Sequence, residues 1–114
     1  MLELTLEDFE EEILNSINPC LVVFKNERCH LCRGLTVILG SLVKKYDGKA
    51  KFATVDSLEQ EELTNLFGVD GVPTIFLFID GDAREIPYPE IPSHLSGYSE
   101  KYLIGFLDAA TSDE

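Results

Sequence analysis

Apolar positions along the chain switch between a helical period and unbroken runs, and each switch marks an element. Behind Thr5, the residues Leu6, Phe9, Ile13, Leu14 and Ile17 recur at helical spacing, which predicts a first helix ending before Pro19. Thr5 suits the cap of that helix, and the acidic residues after it complement the positive end of the dipole. Cys20-Leu21-Val22-Val23-Phe24 is short, continuous and rich in β-branched residues, the pattern of a strand buried on both faces. After Cys32, one stripe of Leu35, Ile38, Leu39, Leu42, Val43 and Tyr46 predicts a helix that stops at Asp47-Gly48.

A second strand is predicted over Lys51 to Asp56, and Ser57 with Gln60 three residues on forms a capping-box signature for a short helix through Phe67. Thr74 to Ile79 is the strongest strand pattern in the chain. Asp80-Gly81 behind it signals a tight turn and an antiparallel return strand around Ala83 to Ile86. Tyr102, Leu103, Phe106, Leu107 and Ala110 describe a last helix, with the polar tail Thr111 to Glu114 expected to fray. Strands interleaved with helices and closed by a hairpin predict an α/β fold: a central mixed sheet with helices on both faces.

Length and composition narrow the class. At 114 residues, with 45 % hydrophobic and 26 % charged residues, the chain has the size and balance of one globular domain, expected over residues 1–114. Asp and Glu number 21 against 9 Lys and Arg, a net charge of -12, which argues against nucleic acid and anionic membranes as partners. No apolar run approaches the roughly 18 residues of a membrane span, and the acidic N-terminal stretch lacks the features of a secretory signal. A reducing cytoplasm is therefore the expected compartment, although an exported protein with its signal trimmed would read the same. Three cysteines make an odd, sparse set, which suits chemistry better than a disulfide framework.

The chemistry lies in Cys29-His30-Leu31-Cys32, between the buried strand and the amphipathic helix. There the first thiol meets the unpaired N–H groups and positive end of the helix, which stabilise its thiolate. The two-residue spacing lets the second sulfur reach the first, so a mixed disulfide formed at Cys29 can be resolved by Cys32. A structural zinc site would need four ligands; the obvious extras are His30 and Cys20, and Cys20 sits inside an apolar strand where a small core residue is expected. Covalent haem attachment is excluded because Arg33, not His, follows Cys32. His30 either stabilises the neighbouring thiolate when protonated or is an ordinary exposed residue, and Arg28 and Arg33 either add local positive potential or are solvated surface charges.

From the first helix to Ala110 the order of elements resembles the thioredoxin family. Gly68-Val69-Asp70-Gly71-Val72-Pro73-Thr74 ahead of an apolar strand is similar to that family's second signature. The resemblance implies a thioredoxin-like fold, a cis Pro73 with Val72 backbone groups beside Cys29, and Gly97 on the same rim, so that Val72, Pro73 and Gly97 would receive substrate. It implies a thiol–disulfide oxidoreductase in which Cys29 attacks and Cys32 resolves, with Arg28, His30 and Leu31 modulating the pair. The redox group would be the Cys29–Cys32 disulfide with no added cofactor or metal. The partners implied are disulfide-bearing proteins, with room for a thioredoxin reductase as electron donor, and a monomer is expected.

Departures from the family pattern are equally specific. Arg28, His30 and Leu31 stand where the family commonly has Trp, Gly and Pro, while Val23 and Phe52 replace its buried Asp and partnering Lys. The usual proton relay beneath Cys32 is thereby missing. That loss supports a second reading, a thioredoxin-fold binding or chaperone-like module that uses the groove around Pro73. Ile86 to Ser96, with three prolines, is longer than the family's link before Gly97 and either shapes partner choice or is a loop that merely tolerates insertion. Because Pro87 to His94 lies outside the apolar pattern, that link is expected to tune which partners bind and not whether the domain folds.

Overall fold

A computed structural model describes residues 1–112 of the chain. Its sheet has five strands: β1 (Leu2–Glu3), β2 (Cys20–Lys25), β3 (Lys51–Asp56), β4 (Thr74–Ile79) and β5 (Asp82–Ile86). They lie in the order β1-β3-β2-β4-β5, with β1 and β2 parallel to β3 and with β4 antiparallel to both β2 and β5. The mixed sheet expected from the hairpin signal is present. Asp80 and Gly81 carry it, both with positive φ (52° and 83°), the backbone of a two-residue hairpin turn.

Helices cover both faces. On one, α2 (His30–Lys45) and α4 (Glu100–Ala110) bury Leu35, Leu39, Leu42, Leu103 and Leu107 against Leu21, Val23, Phe52, Ile75 and Leu77. Each fully buried leucine of this set contributes roughly 2 kcal/mol by leaving water. On the other, α1 (Leu6–Phe9) and α3 (Glu61–Leu66) bring Phe9 and Leu63 onto Cys20, Val22, Phe24, Ala53, Val55, Phe76 and Phe78. Alternation along β2 divides its residues between the two layers, so both faces of this central strand are apolar.

Three local expectations are corrected. The first helix does not run to Ile17: α1 passes into a π-helical turn over Glu10–Leu14, in which the Asn15 N–H donates to the Glu10 carbonyl at 3.0 Å. The wider turn buries Ile13 and leaves Leu14 outside, and Ile17 falls in the following loop at 93 % exposure. Nor does Ser57 cap α3. Asp56 Oδ1 accepts from the Leu58 and Glu59 N–H groups at 2.9 and 3.1 Å, turning the chain before the helix starts, with Gln60 at the cap. Gln60 instead accepts from the Leu6 N–H at 3.2 Å, tying α3 to the start of α1. The short strand β1 is an addition the pattern did not predict. Of the tail, Thr111 closes α4, its N–H and hydroxyl both donating to the Leu107 carbonyl, while Asp113 and Glu114 lie outside the described residues.

Candidate active site

The cysteine turn is built by short-range hydrogen bonds where β2 ends. The Asn26 carboxamide accepts from the Arg28 N–H at 2.9 Å, an Asx turn, and the Asn26 carbonyl accepts from the Cys29 N–H at 3.4 Å. Arg33, one residue past the pair, reaches back to donate to the Glu27 carbonyl at 2.7 Å. The chain thus enters α2 with Cys29 at the N-cap, a position that places its side chain among the free N–H groups of the first turn.

Cys29 Sγ accepts from the Cys32 N–H at 3.1 Å, as a cap side chain does, and faces the Val72 carbonyl at 3.9 Å. The Val72–Pro73 bond is cis, Pro73 is buried, and Val72 is half-buried. Cys29 is partly open to solvent and Cys32 is buried. Burial pushes the Cys32 thiol up to about 12, helped by its hydrogen bond to Cys29; the Asn26 backbone, the Cys29 charge and Lys25 act more weakly, with Asn26 and Lys25 pulling down. The pair can therefore divide the labour of disulfide exchange, with an accessible sulfur at a helix cap and a shielded one behind it.

The surrounding residues sort themselves by exposure. Arg28 and His30 are exposed beside the turn and Leu31 is half-buried. Cys20 lies at the opposite end of β2 from the turn and faces the other layer, which does not bring it to Cys29 and Cys32 as a shared metal site would require. Burial pushes the Cys20 thiol upward as well, consistent with a core residue. Val23 and Phe52, at 2 % and 5 % exposure, pack with Leu35 and Leu39 in the layer beneath the pair, so that layer is apolar at the two positions in question.

The segment before α4 is more firmly seated than its lack of apolar pattern suggested. Gly97 has φ of 73° and pairs with Ser93 in both directions, at 3.0 and 2.7 Å. A Cβ on Gly97 would meet the Tyr88 ring at 3.0 Å, and Tyr88 packs edge-on against buried Tyr98. Tyr102 donates to the Pro87 carbonyl at 2.8 Å. At Gly34, in the first turns of α2, a Cβ would fall 1.9 Å from the Leu95 carbonyl oxygen, so the segment rests on helix backbone just past Cys32. Its middle, around Ile91, is exposed. Asn26, which builds the cysteine turn, and Gly34 and Tyr88, which seat the segment before α4, are residues that sequence reasoning missed. Asn26 alone had a local signal, an Asx-turn residue three before a cysteine.

Comparison with known proteins agrees with this geometry. The family model Thioredoxin matches residues 1–101. Thioredoxin of Rickettsia bellii is 36 % identical over 81 residues, spanning 71 % of this chain and 77 % of its own. Thioredoxin of Pseudomonas aeruginosa is 28 % identical over 109 residues, covering 96 % and 94 % of the two chains. Among solved structures, a variant thioredoxin from Halobacterium salinarum NRC-1 superposes with a TM-score of 0.81 at 24 % identity, over 97 % of this chain and 90 % of its own, a likeness of fold.

Proposed function

We infer that this chain, which belongs to the thioredoxin family and is a thiol–disulfide oxidoreductase, reduces protein disulfides with Cys29 as nucleophile and Cys32 as resolving thiol. The observation that carries the assignment of roles is the N-cap contact: the Cys32 N–H donates to Cys29 Sγ at 3.1 Å, a donor that a sulfur anion accepts better than a thiol. Disulfide-containing proteins and a thioredoxin reductase are the kinds of partner that membership of the family implies.

The reaction follows from the two environments. Cys29 thiolate attacks one sulfur of the substrate disulfide and displaces the other, which leaves as a thiolate and takes a proton from water. Cys32 then loses its proton and attacks Cys29 Sγ, releasing the second substrate thiol. The substrate gains two electrons and the chain leaves with a Cys29–Cys32 disulfide, which a reductase or small thiol must reduce to restart the cycle. This disulfide is the whole redox group in our reading, with no cofactor or metal. Val72, Pro73 and Gly97 receive the substrate backbone, and Arg28, His30 and Leu31 flank it and modulate the pair.

Residues 1–114 act in this reading as a single domain, monomeric, in the cytoplasm. Among the described residues no helix is long and apolar enough to cross a membrane. Insulin-disulfide reduction with dithiothreitol, native chain against Cys29→Ser, tests the assignment: turnover should vanish in the variant. Equal rates would return the chain to the binding-module reading.

A further inference from the structure

An amphipathic helix turns polar residues outward, and one row of α2 beside the cysteine pair does not. Leu31, Gly34 and Val37 are spaced by three and so share one face of that helix, starting between the two cysteines. Leu31 is half-buried and Val37 is 76 % exposed. The middle position of the row is a glycine, and the Leu95 carbonyl lies in the space a side chain would take there. The glycine thus lets the segment before α4 rest on the row and seats the Leu95 backbone between Leu31 and Val37.

The chain around Leu95 is fixed from both sides. Its N–H donates to Ser93 Oγ at 3.2 Å, and Ser93 and Gly97 exchange backbone hydrogen bonds across it at 3.0 and 2.7 Å. Next to it, the buried Ser96 hydroxyl donates to the Tyr98 carbonyl at 2.7 Å. Leu95 itself is nevertheless 70 % exposed. Apolar residues exposed singly are ordinary on a protein surface, and Leu58 and Leu66 are of that kind. Leu95 differs in standing on a backbone already held in place and in line with two apolar residues of the helix that carries the cysteines. A partner that covers it orders little and removes apolar area from water. With its N–H and carbonyl both held by Ser93, Gly97 offers this rim shape and not hydrogen bonds, so the side chain the rim presents is that of Leu95.

The occupant follows from where the row begins. Leu31 lies within the cysteine motif, and Cys29 Sγ faces the Val72 carbonyl at 3.9 Å, so a chain that brings its disulfide to Cys29 carries the residues beside its own cysteine to the start of the row. The row is uncharged in a chain of net charge -12, and it therefore sorts partners by apolarity and not by sign of charge. We propose that Leu95, flanked by Leu31 and Val37, is a specificity-determining residue that favours disulfides whose cysteine has an apolar neighbour in an extended segment of the partner protein. This rests on the oxidoreductase reading above.

The test uses two synthetic peptides, one with leucine and one with serine on each side of a single cysteine held as its mixed disulfide with thionitrobenzoate. Reduced protein in excess is mixed with each peptide by stopped flow. Cys29 thiolate attacks the peptide sulfur, the bond to the aryl sulfur breaks, and the coloured thiolate leaves; Cys32 then displaces the peptide thiol and the chain is left with the Cys29–Cys32 disulfide. The native chain should react with the leucine peptide about tenfold faster than with the serine peptide. Leu95→Ser should slow the leucine peptide by about that factor and the serine peptide by no more than about twofold, at an unchanged Tm, and Leu95→Met should restore the preference. Val37→Ser should weaken it in the same direction. Equal native rates for the two peptides overturn the proposal while leaving the oxidoreductase reading in place, and so does a Leu95→Ser variant that slows both peptides alike. If the native chain releases no thionitrobenzoate from either peptide, the oxidoreductase reading falls and this inference with it.

Discussion

The cysteine turn and the sheet face beneath it belong to one site but are made of different material. The turn is polar and locally determined: Asn26 sets its entry, Arg33 ties it back to Glu27, and a helix N–H points at Cys29. Beneath it, Leu21, Val23, Leu35, Leu39, Phe52 and Ile75 form a layer at 5 % exposure or less. In the proposed reaction, attack by Cys29 needs only what the turn supplies. Resolution requires Cys32 to become an anion against a layer that penalises charge, so the two halves of one reaction meet opposite environments. A thioredoxin-family chain can therefore keep the polar turn around its first cysteine while the layer beneath the second is wholly apolar.

The largest expected effect separates the two sulfurs. Cys29→Ser should lower insulin reduction by on the order of a thousandfold or more, whereas Cys32→Ser should let attack proceed and trap substrate as a stable mixed disulfide, visible on non-reducing gels. Trapping by Cys29→Ser and none by Cys32→Ser would exchange the roles. Next in size is the seat of the pre-α4 segment on the cysteine helix. Gly34→Ala drives a methyl into the Leu95 carbonyl and should destabilise the chain by about 3 kcal/mol, lowering Tm by roughly 10 °C. An unchanged melting curve would mean that the segment is loosely held.

How much of this could be read along the chain depends on whether the cause is local. The strands β2, β3 and β4, the helix α2 and the Cys29–Cys32 spacing are patterns of near neighbours, and each is found where its period placed it. β1 escaped because two exposed residues, Leu2 and Glu3, carry no alternation to read. Ile17 misled because the helix closes in a π-helical turn at Leu14, three residues before it, and leaves it in the loop. Gly34 against Leu95 and Lys25 opposite Asp56 join residues far apart in the chain, and only packing and strand register bring them together.

Acidity probes the lower half of the contrast. Because burial lifts the Cys32 thiol to about 12, only a small fraction is thiolate near neutral pH, and the resolving rate should rise about tenfold for each unit of pH up to the strongly alkaline range and fall equally on acidification. A rate independent of pH would show that proton loss does not limit resolution. Restoring a carboxylate is a smaller, two-sided change. Val23→Asp should speed resolution about tenfold near neutral pH while costing about 2 kcal/mol of stability, measured by urea unfolding, because it buries an acid in the apolar layer. Folded variant that resolves no faster would remove the proton from the account. The smallest effect belongs to exposed His30, whose replacement by Ala should change Cys29 alkylation by less than about threefold.

The contrast between an open capping sulfur and a shielded one is tested most directly by brief iodoacetamide treatment of the reduced native protein, with the alkylated cysteines identified by peptide mass spectrometry. The account predicts that Cys29 is modified first, while Cys32 and Cys20 remain as thiols until the protein is unfolded. Labelling of Cys32 or Cys20 ahead of Cys29 in the folded protein would contradict it.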